Sequence, residues 1–180
     1  MNKKGLLSWI NKYDKEYNLN DRKVEERLRE KFREKEVVTK SDLIQIVKWK
    51  FQGRLLGRQK IILKLLEDVD GPFVYKLSRL ALKSEDDEIR LGLLCLIKGV
   101  GNAISSVILA FYDPKNYGIL DIHSWRGLFG KEPRDIWSNQ KHAIRFFNKL
   151  RSISSNTGLS CRKIEKGYFM KDKSIKETKK

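Results

Sequence analysis

The sequence predicts an all-α fold, and two observations carry that prediction. Apolar residues recur at helical spacing along nearly all of the 180 residues. Asp, Asn, Ser, Gly and Pro stand where those apolar runs break, as helix caps and turns require. Strands should be few, with Val37-Val38-Thr39 the main place for a short strand or a linker.

Taken in order, Leu6, Leu7, Trp9, Ile10 and Tyr13 predict an amphipathic opening helix. Asp21 to Glu36 is a charged helix with Val24, Leu28 and Phe32 as its apolar line and a solvated face of alternating charge. Ser41 is placed to cap a helix from Asp42 to about Phe51, burying Leu43, Ile44, Ile46 and Val47. Gly53 and Gly57 interrupt before Ile61, Ile62, Leu65 and Leu66 resume the helical period. Asp70-Gly71-Pro72 is a break, with Pro72 suited to the first turn of a helix running from Phe73 to Lys83.

Ser84 is then the expected N-cap of a helix whose acidic start, Glu85 to Glu88, suits the positive end of the helix dipole. Leu91, Leu94, Cys95 and Lys98 follow at helical spacing, and Gly99 is a natural left-handed terminator. Asn102 is expected to cap a second helix, Ala103 to about Tyr112, which Asp113-Pro114 ends. After Asp121 a short helix should run to near Gly130. Pro133 should open a longer one holding Ile136, Trp137, Ala143, Ile144, Phe147 and Leu150. Ser152 to Gly158 is expected as a connection, Leu159 to about Met170 as the last helix, and 171–180 as a frayed basic tail.

The length suits one domain, 1–180, or two small helical lobes sharing a cleft. Two distant cysteines, one in an apolar helical run, argue against a disulfide framework and for a reducing cytosol. No segment approaches the roughly twenty apolar residues that cross a bilayer, and Met1 to Lys4 lead into no signal-like apolar block. The expectation is a soluble, cytoplasmic protein without a membrane partner, at the nucleoid if prokaryotic. The net charge of +16 favours a polyanionic partner. The excess is uneven: residues 131–180 hold 14 basic and 5 acidic side chains, and Lys40, Lys48, Lys50, Arg54, Arg58, Lys60 and Lys64 face only Asp42. Basic zones therefore flank the segment 84–112 on both sides.

So short a turn at Gly99-Val100-Gly101 leaves the amides of Gly101, Asn102 and Ala103 free, and free amides at a helix N-terminus suit a phosphate. A Gly-x-Gly turn between helices is also simply a tight connection. What adds weight is the lone carboxylate of Asp121, which follows a loop marked by Pro114, Tyr117 and Gly118 and opens the run Asp121-Ile122-His123-Ser124-Trp125-Arg126.

These residues resemble the helix-hairpin-helix DNA glycosylase superfamily, named for its hairpin, a Gly/Pro-rich loop and a catalytic Asp, and within it an 8-oxoguanine-glycosylase-like branch. The match covers the hairpin at about 84–112 and the loop at about 113–126, with 18 residues from Ala103 to Asp121. The resemblance implies two helical lobes around a cleft and a monomeric base-excision repair enzyme acting on damaged duplex DNA. It assigns Asp121 as the catalytic acid and Lys98, Gly99, Val100, Gly101, Asn102, Ala103, His123 and Arg126 to DNA. Lys48, Lys50 and Arg54, around Trp49, form a basic-aromatic cluster for the same partner. Bifunctional relatives carry a Schiff-base lysine where this chain has Ala103, which implies a monofunctional enzyme. The resemblance also allows a monovalent cation on hairpin carbonyls; no other cofactor is expected, and no zinc-type ligand spacing or phosphate-binding Lys-Ser/Thr loop is present.

Breaking an N-glycosidic bond builds positive charge on the deoxyribose, and a carboxylate beneath the sugar stabilises it. A base within a duplex must first be extruded. Trp49, Tyr117 and Trp125 are the candidate pocket or wedge side chains, each with a competing reading as core. Asp121 has a competing reading as an ordinary N-cap, and the whole motif one as a DNA-binding module without catalysis.

Overall fold

The computed structural model describes residues 1–52 and 55–177, with side chains as far as Ile175. Among these residues it has ten α-helices and no strand, so the protein is all-α as expected. They are α1 (Lys3–Glu16), α2 (Leu19–Lys35), α3 (Lys40–Lys50), α4 (Leu56–Glu67), α5 (Gly71–Lys83), α6 (Asp87–Cys95), α7 (Asn102–Tyr112), α8 (Ile122–Phe129), α9 (Gln140–Thr157) and α10 (Cys161–Glu177). Gly53, Arg54 and residues 178–180 of the expected tail lie outside the described residues. No described helix is long and apolar enough to cross a membrane.

A helix that is apolar all round has to be surrounded, and α7 is the case here. Every residue from Ile104 to Phe111 is buried, and α2, α3, α6 and α9 pack against it. Around the other end of the molecule α10 packs on α1 and α8. Glycines allow that approach: a methyl at Gly167 would come within 2.5 Å of Leu6 Cδ1, and one at Gly127 would run into the Tyr168 carbonyl. The chain thus wraps its last helix onto its first.

Several boundaries differ from expectation, each because a different group satisfies the free backbone atoms. Thr39, not Ser41, caps α3. Its hydroxyl accepts from the Asp42 amide while the Asp42 carboxylate accepts from the Thr39 amide at 2.9 Å, a complete capping box. Of the two readings of Val37-Val38-Thr39, strand or linker, the linker holds: the Val38 N–H donates to Ser78 Oγ at 3.0 Å and its carbonyl accepts from the same hydroxyl at 2.9 Å. Ser84 closes α5, and Asp86 caps α6 by accepting from Ile89 N at 2.9 Å.

Gly101 takes the N-cap position of α7, and Asn102 is already inside the helix. Pro133 opens only a set of turns over 131–139, since α9 starts after its cap Asn139. That helix runs through the expected connection as far as Thr157 and ends at Gly158 with φ +73°. Of the expected tail, 171–177 continue α10, held by Asp172 at 2.8 Å from His123 Nδ1 and by Ser174, whose hydroxyl accepts from Lys12 Nζ at 3.0 Å.

Candidate functional site

Asp121 starts α8. Its Oδ1 accepts from the His123 amide at 2.9 Å, while its own amide donates to Ser124 Oγ at 3.0 Å, so it is the N-cap that local sequence predicts. Two further bonds fix the approach: Ser124 Oγ donates to Ile119 O at 3.0 Å, and the Leu120 amide donates to Ser106 Oγ on α7 at 2.9 Å. The carboxylate is therefore held by its own helix and by the central one.

Its second oxygen meets a cation from far along the chain. Lys50 Nζ, at the last residue of α3, lies 3.2 Å from Asp121 Oδ2, with only 9% of the lysine side chain exposed. Burial alone would raise the Asp121 pKa, but the Lys50 charge and the His123 amide outweigh it and hold the carboxyl below its ordinary value. Asp121 is thus an anion at neutral pH.

Both residues line a cavity of about 470 Å³ where α1, α2, α3, α8 and α10 come together. Its walls carry aromatic rings: Tyr13 and Tyr17, stacked with centroids 4.9 Å apart, together with Trp49 and Phe169. Trp49 is fixed by donating Nε1–H to Asp21 O at 3.1 Å and by packing edge-on against Phe111. His123 also faces this space; its Nδ1 lies 2.8 Å from Asp172 Oδ2, and its ring meets Phe169 edge-on.

Beneath the walls lies a buried charge network. Arg162, 4% exposed, makes a two-pronged pair with Glu25, Nε and Nη2 each at 3.0 Å, and a single contact through Nη1 to Glu165. Burial opposes ionisation of both acids. The fork on Glu25 overcomes it and brings that carboxyl down to about 2, whereas Glu165, with the lesser share of Arg162, is pushed up. Arg162 and Glu165 both border the cavity.

The residues singled out from sequence part company here. Asp121, Lys50, Trp49 and His123 come together at the cavity. Lys48 is exposed and outside it, and Arg54 falls outside the described residues. Trp125 is 1% exposed, donating Nε1–H to Lys131 O at 3.2 Å, and belongs to the core. Tyr117 is likewise buried, its hydroxyl donating to Asp87 at 2.6 Å. Arg126 is engaged by Glu132. Neither Trp125 nor Tyr117 nor Arg126 lines the Asp121 cavity.

At the turn, Gly99 has φ +88° and lies against α4, where an added Cβ would meet Leu65 Cβ at 3.3 Å. Val100 is buried, and Lys98 is exposed, 3.6 Å from Asp68. Gly101 brings no side chain to cap α7, and no side-chain cap bond reaches its first amides among the described residues. Asn102 Nδ2 donates to Ile136 O and Asn139 O, both at 3.0 Å, which ties the turn to the segment before α9. Its Oδ1 is buried without a hydrogen-bond partner among the described residues. No group of three or more His, Cys, Asp or Glu side chains is placed to hold a metal ion among the described residues.

Sequence reasoning missed Tyr13, Tyr17, Arg162, Glu165, Phe169 and Asp172. One signal was available: Arg162, Glu165 and Phe169 fall at i, i+3 and i+7 on α10, so two charges interrupt a face that is otherwise apolar. No family model, curated protein or solved structure matches the chain.

Proposed function

We propose that this protein is a DNA glycosylase that hydrolyses the N-glycosidic bond of a damaged or mispaired base. The observation that carries the reading is Asp121, an anionic carboxylate at the edge of an aromatic-walled cavity. A developing oxocarbenium ion needs a fixed negative charge nearby, and a flat heterocycle lifted from the duplex needs planar walls to replace its stacking. Tyr13, Tyr17, Trp49 and Phe169 are those walls, and Asp121 supplies the charge and orients water.

The turn at Gly99 to Ala103 serves as the backbone grip, with the first amides of α7 on a phosphate and Lys98 adding charge. Ala103 puts no amine at the start of α7, where a Schiff-base lysine would stand, so base release is hydrolytic and the enzyme monofunctional in that step. The partner is damaged duplex DNA, bound by a monomer in the cytoplasm or nucleoid. A non-catalytic DNA-binding protein is the second reading. It is favoured by the complete capping box of Asp121, which gives that residue a structural job without chemistry.

The deciding experiment measures base release from duplexes carrying single oxidised, alkylated, deaminated or mismatched bases, with alkali added to cut abasic strands. Release is expected on at least one duplex, falling by roughly 100-fold or more in Asp121→Asn while salt-dependent binding persists. Binding without release on any duplex would establish the second reading instead.

A further inference from the structure

We propose that Lys50 gives this site a second activity, cleavage of the DNA strand at the abasic sugar that base release leaves behind. The inference rests on the reading of Asp121 as the carboxylate beneath that sugar. Lys50 Nζ lies 3.2 Å from Asp121 Oδ2, so an atom in contact with Asp121 is within reach of the same amine. Its side chain is 9% exposed, against 57% for Lys98, and both Lys50 and Asp121 line the cavity. Position 103 of the hairpin is alanine and brings no amine, and Lys50 brings one to the carboxylate from a different helix.

The chemistry needs no partner beyond water. An abasic deoxyribose opens to an aldehyde at C1′. The Lys50 ammonium passes a proton to Asp121, the amine so formed adds to that carbon, and Asp121 returns the proton to the carbinolamine hydroxyl, which leaves as water to give an iminium ion. The iminium acidifies C2′, whose proton passes to Asp121, the base beside it. The electron pair left at C2′ expels the 3′ phosphate by breaking the C3′–O bond. Asp121 gives that proton to the departing phosphate, and water hydrolyses the iminium, returning Lys50 as the ammonium and leaving an unsaturated aldehyde on one fragment and a 5′ phosphate on the other. Nothing is oxidised or reduced overall.

The test incubates the full chain with a duplex holding one abasic site, with and without borohydride. Strand cleavage without alkali is expected, as is a reduced covalent adduct that peptide mapping places on Lys50. Lys50→Gln and Lys50→Arg should each lose adduct and cleavage by roughly 100-fold or more. The arginine variant keeps a cation beside Asp121, so its loss of activity separates amine chemistry from charge. An adduct mapped to another lysine, or one that survives in a folded Lys50→Arg protein, overturns the inference. Base release from a lesion duplex with no adduct also overturns it, and leaves the glycosylase reading standing. Cleavage through Lys50 without base release from any lesion duplex supports the inference and removes the glycosylase reading.

Discussion

Asp121 and Asp87 make an instructive pair. Each stands at the start of a short helix, each is mostly buried, and in each burial is outweighed by neighbouring donors that hold the carboxyl below its ordinary value. Their donors differ. Asp87 accepts the Tyr117 hydroxyl at 2.6 Å and two nitrogens of Arg151 at 2.6 and 3.1 Å, a planar fork that stays charged and stays put. Asp121 accepts one backbone amide and one lysine ammonium, and it borders an aromatic cavity. A carboxylate saturated by a guanidinium and a phenol is a joint between helices. One held by an amide and a single ammonium keeps acceptor capacity to spare.

The sharpest way to break this distinction is to remove each charge in turn. Asp121→Asn should lower base release by roughly 100-fold or more, while Asp87→Asn, remote from the cavity, should leave the rate within about threefold. Equal losses in single-turnover assays would mean that both act only through stability.

Stability should not separate them. Asp87→Ala leaves Arg151 and Tyr117 without their shared acceptor and should cost about 2 kcal/mol, allowing for the partial exposure of the arginine. Asp121→Ala loses an N-cap and leaves the Lys50 ammonium, 9% exposed, without its acceptor, which should cost about 2 kcal/mol as well. Urea unfolding of the two variants checks this. Because the folded-state pKa of Asp87 is lowered, its contribution is present above the ordinary carboxylate range and lost as pH falls through the folded value. The gap between wild type and Asp87→Asn should therefore shrink in acid.

The Lys50 charge is the strongest influence holding Asp121 low. In Lys50→Gln the carboxyl pKa should rise, so the acid limb of the base-release profile should move to higher pH. An unmoved limb would mean that some other group holds Asp121 ionised.

The smallest effect is expected at the turn. A methyl at Gly101 would sit 3.4 Å from Trp137 O, an ordinary contact, so Gly101→Ala should fold normally. It should weaken duplex affinity by about two- to fivefold if the amides of α7 grip a phosphate, a loss of the size of one modest contact. Unchanged affinity in a titration at fixed salt would count against that grip.

What was legible in the sequence is what acts over one helical turn. Gly99 turns the chain between α6 and α7 because only glycine enters its φ without penalty, although α6 itself stops earlier, at Cys95 with Leu96 as its C-cap; Asp121 caps α8 through an amide two residues on. Where two candidates competed locally, sequence favoured the wrong one: Thr39 over Ser41 and Asp86 over Ser84 were settled by the geometry of the loop entering each helix. The aromatic residues were harder still. Trp49 and Trp125 look equally suited to a pocket, yet one borders the cavity and the other is sealed against Phe129 and Phe146.

The sequence by itself determined an all-helical chain, the glycine turn between α6 and α7, the basic excess and the placement of a carboxylate at the start of α8. Only the tertiary structure decided that Lys50, 71 residues away, would neutralise that carboxylate, and that Arg162 would bind Glu25 across 137 residues beneath the aromatic walls. Caps and periods follow from bonds within one turn of backbone. The pairing of buried charges instead depends on which helix faces pack together, and that choice is made by the whole core at once.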